Sequence, residues 1–293
     1  MVFGYFRFSI FFLFVFNLWF VSPVKAASET QRIPVFVSIP PQRYFVEKIG
    51  GIHVRVTEML PPGANPHTYE PKPKQIASLS KAAIYFAAGV PYESVWLKKF
   101  QSANPRMRIV NTDAGIEKIP ISHHDHGEKE NGLDPHTWLS PPLVKIHAQH
   151  IAKGLIEIDP SKKNFYTAGL NSLLIEIDAL DSDLHILFSG KGEKLRFMVF
   201  HPAWGYFAKT YGLTQIPVEV EGKEPKPAEL ENLIRLARKE QIKMIFVQPQ
   251  FSIKSAEVIA QNIGGIISYA DPMAFHWEAN LREVGKKFGQ ALR

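Results

Sequence analysis

Three histidines and one aspartate stand where the sequence could build a metal site. His67 lies in the run at residues 60–71, which contains four prolines, and His136 lies in a similar run at residues 133–142. Proline fixes its own φ angle and biases the preceding residue toward extended backbone, so each imidazole is held by a stiff loop. Both runs contain Pro-His-Thr followed by an aromatic residue. Two prepositioned imidazoles predict a metal site.

His201 and Asp271 are the other two candidate ligands. Each follows an apolar run typical of a buried strand, and each precedes a proline. In α/β sheets, ligands gather outside the carboxyl ends of the strands. Three imidazole nitrogens and one carboxylate oxygen complete a tetrahedral shell for a borderline cation such as zinc. Asp271 has a second interpretation, because Asp-Pro is also a helix start with Asp as the N-cap.

Two acidic neighbours are candidates to orient these imidazoles, since a metal-bound histidine usually donates its other N–H to a carboxylate or carbonyl. They are Glu70 and Asp134, and Asp134 has the alternative role of capping a turn. The segment at residues 122–131 carries His123, His124 and His126. It is interpreted either as a solvated loop or as a weak, exposed zinc-collecting arm. Phosphate-loop, dinucleotide-binding and His-Glu-x-x-His patterns do not occur, so the sequence gives no support for nucleotide binding or a common zinc protease.

The elements that must position these residues alternate between strand and helix. About four strands are predicted in each half of the chain, and a long amphipathic helix is predicted from 161 to about 187. This predicts an α/β fold with two parallel-sheet lobes joined by one long rigid helix, and a metal site in the cleft between the lobes. The expected divisions are residues 27–159 for the N-terminal lobe, 160–189 for the linking helix and 190–293 for the C-terminal lobe.

Residues 1–26 differ from the rest and are typical of a signal peptide. Arg7 precedes an apolar run of 14 residues, and the small residues up to Ala26 suit a signal peptidase. We expect cleavage near Ala26 and export to the periplasm. The chain has no cysteine, which excludes disulfides, thiolate ligands and a lipid-modified N-terminal cysteine, so no stable membrane anchor is expected after cleavage. The net charge of +6 is spread along the chain, which makes nucleic acid an unsuitable partner.

The chain resembles the periplasmic zinc and manganese receptors of metal ABC transporters over essentially its whole mature length. The matching residues are Leu-Pro-Pro-Gly-Ala-Asn-Pro-His-Thr-Tyr-Glu at 60–70, Asp-Pro-His-Thr-Trp-Leu at 134–139, Phe-His-Pro-Ala-Trp-Gly-Tyr at 200–206, Glu-Val-Glu-Gly-Lys-Glu-Pro at 219–225 and Asp-Pro at 271–272. The resemblance implies two α/β lobes joined by a long helix with the metal between them. By the same resemblance, the ligands are His67, His136, His201 and Asp271.

Two positions bear on which metal is bound. Some zinc-specific relatives carry an acidic residue before the first histidine, where this chain has Pro66, and manganese-selective relatives usually carry a carboxylate as third ligand, where it has His201. Three nitrogens and one oxygen suit zinc better than manganese. The expected function is high-affinity capture of Zn²⁺, the transported ligand, and its delivery to the membrane permease subunit of an ABC importer. We expect a monomer without catalytic activity.

Three other functions fit parts of the same pattern. One is a Mn²⁺ receptor of the same family. Another is a secreted zinc metalloenzyme, in which water fills an open coordination position and Asp271 acts as a base. The last is a metal-dependent adhesion protein that uses the surface of the lobes.

Overall fold

The computed structural model describes Met1 and residues 32–121, 132–189, 195–220 and 222–291. The predicted signal peptide, apart from Met1, and the histidine-containing segment at 122–131 lie outside these residues. Within the described ranges, the helices are too short or too polar for any of them to cross a bilayer.

The N-terminal lobe is built on a four-stranded parallel sheet with the strand order β2-β1-β3-β4. Strand β3, one of the two central strands, is buried at every residue, as expected for a parallel strand covered on both faces. The strands are β1 Ile33–Val37, β2 Val54–Glu58, β3 Ile84–Ala87 and β4 Arg108–Asn111. The helices are α1 Pro40–Gly50, α2 Pro73–Leu79, α3 Glu93–Ala103 and α4 Pro141–Ile158.

The C-terminal lobe repeats this arrangement in a second parallel sheet, ordered β6-β5-β7-β8. Its strands are β5 Arg196–Val199, β6 Thr214–Pro217, β7 Met244–Val247 and β8 Ile266–Tyr269. Its helices are α6 Gly205–Tyr211, α7 Pro227–Lys239, α8 Lys254–Ile263 and α9 Trp277–Ala291. Because the two sheets share one strand order, equivalent loops leave the carboxyl edge of each sheet.

One long helix, α5 Lys163–Phe188, joins the two lobes. Its buried residues recur at helical spacing and include Leu173, Ile177, Leu180 and Leu184. The helix packs on α1 and α4 of the first lobe and on α9 of the second. Gly169 permits the close approach to α1, because a Cβ there would lie 2.6 Å from the carbonyl oxygen of Ile49. The predicted fold class is confirmed: two parallel-sheet α/β lobes are linked by one long helix.

The sequence interpretation missed the short helix α2, which lies between the His67 loop and β3. Only Leu79 is buried in this helix, so its sequence has too few apolar positions to show a helical period. Pro73 occupies the first turn, where the missing N–H costs nothing. The Gln75 side chain accepts a hydrogen bond from the backbone N–H of Lys72 at 2.9 Å, which closes the start of the helix.

Candidate metal centre

Three imidazoles from different loops meet between the lobes. His67 follows β2, His136 lies in the long connection after β4, and His201 is the second residue after β5. One ring nitrogen from each lies within 4.8 Å of one from each of the others. The ring centroid of His201 is 5.0 Å from that of His67 and 5.2 Å from that of His136. The structure therefore brings together three of the four residues that the sequence proposes as ligands.

The His67 loop is stiffened by a local hydrogen bond as well as by its prolines. The side-chain oxygen of Asn65 accepts a hydrogen bond from the backbone N–H of His67 at 2.8 Å. The residue as a whole is exposed, but its ring is crowded by the other two imidazoles. Burial of the ring, followed by the charges of His201 and His136, lowers the pKa of His67 to about 3. The ring is therefore neutral at physiological pH, as metal ligation requires.

His136 is oriented by Asp134, two residues before it. The carboxylate oxygen Oδ1 of Asp134 lies 2.8 Å from the ring Nδ1 and also accepts the backbone N–H of His136 at 2.8 Å. Asp134 therefore has both of the roles that the sequence suggested, because the same oxygen closes the turn and orients the His136 ring. With Nδ1–H donated to the carboxylate, Nε2 carries the lone pair that can bind a cation.

Gly205 of the second lobe packs closely against this carboxylate. A Cβ on Gly205 would lie 2.6 Å from Oδ2 of Asp134, so only glycine fits there without a shift. The hydroxyl of Tyr206, the next residue, donates a hydrogen bond to the backbone carbonyl of Asp134 at 3.0 Å. The second lobe therefore helps to hold the residue that orients a histidine of the first lobe.

His201 is oriented by Glu219, which the sequence analysis included in the motif at 219–225 but gave no role. Oε1 of Glu219 lies 2.8 Å from Nδ1 of His201, and both residues are buried. Burial is the main cause of the lowered pKa of His201, and the hydrogen bond to Glu219 opposes it. Nε2 of His201 is buried and has no hydrogen-bond partner among the described residues. A buried nitrogen with a free lone pair is what a cation ligand requires.

The donor set fits a zinc ion. In a tetrahedral shell with Zn–N bonds of ~2.05 Å, neighbouring nitrogens lie ~3.3 Å apart. The three nitrogens lie within 4.8 Å of one another, so the rings need to close by no more than about 1.5 Å to reach that separation. Asp134 and Glu219 place carboxylates behind two of the rings, and a divalent cation would offset their buried charge.

Asp271 is the second residue after β8, but it is not part of the group within 4.8 Å. Its Oδ1 accepts hydrogen bonds from Nε2 of Gln250 at 2.8 Å and from the backbone N–H of Met273 at 2.9 Å. The alternative role as a helix N-cap is wrong, because the following helix, α9, begins at Trp277. A hydrogen bond joins the Asp271 loop to the His136 segment: Nε1 of Trp138 donates to the carbonyl of Pro272 at 2.8 Å.

Several aromatic, acidic and histidine side chains close to the candidate ligands in the sequence divide into buried and exposed groups. Trp138, Trp204 and Tyr206 are buried near the site, and Trp277 is buried in the core. Glu70 and His276 are exposed. Within the described part of the chain, the metal-capable group contains neither of these two residues.

A buried histidine outside the three-histidine group anchors the His136 segment. His147 lies on α4, with Nδ1 2.9 Å from the hydroxyl of Thr112 and Nε2 2.9 Å from the hydroxyl of Thr137. Thr112 donates its own proton to the carbonyl of Ala87 at 2.8 Å, so it must accept from Nδ1–H of His147. Nε2 then accepts from Thr137, the residue after His136. Burial lowers the pKa of His147 to about 4, which agrees with this neutral form.

Known proteins match the chain over most of its length. The family described as "ZnuA: Zinc-uptake complex component A periplasmic" matches residues 35–281. The high-affinity zinc uptake system protein ZnuA of Bacillus subtilis is 30% identical over 251 residues, covering 82% of this chain and 78% of that protein. The manganese ABC transporter substrate-binding lipoprotein PsaA of Streptococcus anginosus is 27% identical over 248 residues, covering 81% and 79%.

A solved structure also matches the fold. A crystal structure of ZnuA superposes with a TM-score of 0.85 at 44% sequence identity, covering 89% of this chain and 100% of that chain. The similarity therefore extends through both lobes and the long helix between them.

Proposed function

The chain belongs to the ZnuA family of periplasmic metal receptors of ABC transporters, and we propose that it captures Zn²⁺ and delivers it to the permease of an ABC importer. In this proposal His67, His136, His201 and Asp271 are the four ligands. The observation that carries it is the meeting of three imidazoles, two of them with a buried carboxylate behind the ring.

The chemistry of the donors supports zinc as the transported ion. Imidazole nitrogens suit zinc, while manganese prefers oxygen donors. Three nitrogens with one carboxylate oxygen complete a shell of four protein ligands, which is the arrangement of a closed binding site rather than of a catalytic zinc site with an open position. The family consists of receptors and not of enzymes, so the secreted metalloenzyme is set aside.

Mn²⁺ is the second candidate ion, because the similar PsaA protein of Streptococcus anginosus is named as a manganese-binding component. His201 is the residue expected to discriminate between zinc and manganese. A carboxylate in its place would supply a second oxygen donor, whereas the imidazole supplies a third nitrogen. His201→Glu is therefore expected to shift the preference toward manganese.

The remaining parts of the proposal concern the form in which the receptor works. Residues 1–26 direct export and are removed near Ala26, and the mature protein acts as a periplasmic monomer. Residues 27–159 and 190–293 form the lobes around the linking helix at 160–189. The family works with an ABC-type permease and its ATPase, and these are the proposed partners of the mature receptor.

Metal analysis of the mature protein tests the proposal. Protein purified without added metal should contain zinc at one equivalent, and zinc should displace manganese in competition. The variant His201→Glu should reduce that preference. Equal affinity for the two metals in the wild type, or purification with stoichiometric manganese, would contradict the assignment of zinc.

A further inference from the structure

The loop at residues 248–251, after β7, contacts both candidate ligands of the C-terminal lobe. Gln248 accepts the backbone N–H of His201 at 3.1 Å and donates to its carbonyl at 2.7 Å. The ring of Phe251 stacks on the His201 ring, with centroids 4.4 Å apart and planes at 19°. Gln250 donates from Nε2 to Oδ1 of Asp271 at 2.8 Å. Neither the sequence pattern nor the proposed function assigns these residues a role.

The two carboxylate oxygens of Asp271 differ in the hydrogen bonds that they accept. Oδ1 accepts two hydrogen bonds, from Gln250 and from the backbone N–H of Met273 at 2.9 Å. No hydrogen bond from the described residues reaches Oδ2. Each carboxylate oxygen has two lone pairs, and the two donors engage both lone pairs of Oδ1, which leaves Oδ2 as the oxygen better placed to bind a cation. Asp271 is therefore expected to bind a cation through Oδ2 alone.

The amide of Gln250 can serve only as the donor in this contact. The reversed amide would bring Oε1 toward the Asp271 carboxylate, and two acceptors would then face each other. In the observed orientation Oε1 is buried and has no hydrogen-bond partner among the described residues. The contact with Asp271 therefore fixes the orientation of the amide, although it leaves a buried acceptor unpaired.

We infer that Gln250 is a positioning residue that determines metal specificity by keeping Asp271 a one-oxygen ligand. This inference rests on the proposed function, in which Asp271 completes the shell. Zinc is stable with four ligands, so a single carboxylate oxygen beside three nitrogens completes its shell. Manganese favours more oxygen donors and a larger coordination number, which a two-oxygen carboxylate would supply. The hydrogen bond from Gln250 to Oδ1 of Asp271 therefore disfavours the binding of manganese.

The test compares zinc and manganese affinities of the mature protein and of Gln250→Met by competition with a metal-binding dye. Methionine matches the length of glutamine but cannot donate to Oδ1. We expect zinc affinity to fall by ~10-fold, the lower end of the range for residues that support ligands, and manganese affinity to fall less or to rise. Gln261→Met, on the exposed face of α8, is the matched control and should leave the ratio of the two affinities unchanged.

X-ray absorption at the metal edge gives a second measurement, made on the wild type as well as on Gln250→Met. Zinc-loaded wild type should show three nitrogens and one oxygen, and Gln250→Met should gain an oxygen when loaded with manganese. Two Asp271 oxygens bound to zinc in the wild type, or an unchanged affinity ratio in Gln250→Met, would overturn the inference.

Asp271→Ala, measured in parallel, separates this inference from the proposed function. If Asp271→Ala loses zinc affinity while Gln250→Met keeps the wild-type ratio, the specificity role of Gln250 is wrong and the ligand set stands. If Asp271→Ala binds zinc as tightly as the wild type, the proposed ligand set fails, and the role of Gln250 fails with it.

Discussion

The indole Nε1 of Trp138 donates a hydrogen bond to the carbonyl oxygen of Pro272 at 2.8 Å. The contact joins the two lobes, and each partner lies within two residues of a candidate ligand, His136 or Asp271. A second indole completes the connection, because Trp277 donates to the carbonyl of Trp138 at 2.7 Å. The loops that carry ligands from opposite lobes are therefore held to one another by buried hydrogen bonds.

Trp138→Phe should weaken both the lobe contact and metal binding. The change removes the donor and leaves the Pro272 carbonyl unpaired, at an expected loss of ~1–3 kcal/mol in the free energy of unfolding. Zinc affinity should fall with it, because the Asp271 loop loses its attachment to the His136 segment. Urea unfolding and zinc titration measure the two effects. Trp96→Phe, on α3 and in cation–π contact with Lys99, is the control; equal zinc affinities in the two variants would contradict the coupling.

Glu219→Gln should weaken zinc binding without changing the set of ligands. The amide oxygen can still accept from Nδ1–H of His201, but the negative charge that makes the imidazole a better donor is lost. Replacing such supporting groups lowers metal affinity by ~10–100-fold. Competition titration measures the loss, with the exposed Glu257→Gln on α8 as control. A Glu219→Gln protein with wild-type affinity would show that the buried pair has no part in binding.

Gly205→Ala should act on the site through Asp134. The added Cβ would lie 2.6 Å from Oδ2 of Asp134, so the carboxylate must move away from the ring that it orients. We expect a loss of ~1–3 kcal/mol in the free energy of unfolding, typical of overpacking, together with weaker zinc binding. At Gly132 an added Cβ would meet nothing within 4 Å, which makes Gly132→Ala the matched control. Unchanged zinc affinity in Gly205→Ala would refute the role of this contact.

The buried His147 should make stability fall in acid. Its pKa in the folded protein is about 4, below the usual value of ~6.5, so the unfolded chain takes up the proton first. The stability that this group contributes is complete above pH ~6.5 and is lost as pH falls toward 4, amounting to ~3 kcal/mol in all. Chelator-treated His147→Gln should therefore lose less stability than the wild type between pH 7 and pH 4.5.

Urea unfolding at the two pH values measures this difference. Gln261→Met, on the exposed face of α8, removes no titratable group and is the control, which should keep the pH dependence of the wild type. An identical loss of stability in wild type and His147→Gln would mean that His147 is not the titrating group.

Much of this architecture could be predicted from local sequence. Helix α8, at residues 254–263, is an example, because its apolar face and the left-handed Gly264 that follows mark both the helix and its end. The histidines were predictable because proline-rich loops and strand ends are visible in the sequence. Glu219 was not, since its contact with His201 spans 18 residues and depends on β6 lying beside β5.

The contact between Gln250 and Asp271 was even harder to predict from local sequence than the contact between Glu219 and His201. Nothing in its neighbourhood in the sequence indicates Asp271, which lies 21 residues away and is brought close only by the pairing of β7 with β8. Asp134 is the opposite case. Its partner His136 is two residues away, so both of its roles could be proposed from the sequence alone.

The central claim is that side chains from both lobes bind one cation between them, and a crystal structure of the zinc-loaded mature protein tests it most directly. Anomalous scattering at the zinc edge should give one strong peak in the cleft, bonded to Nε2 of His136, Nε2 of His201, a ring nitrogen of His67 and Oδ2 of Asp271. A principal zinc peak at any other place, with these three imidazoles unbound, would contradict the account.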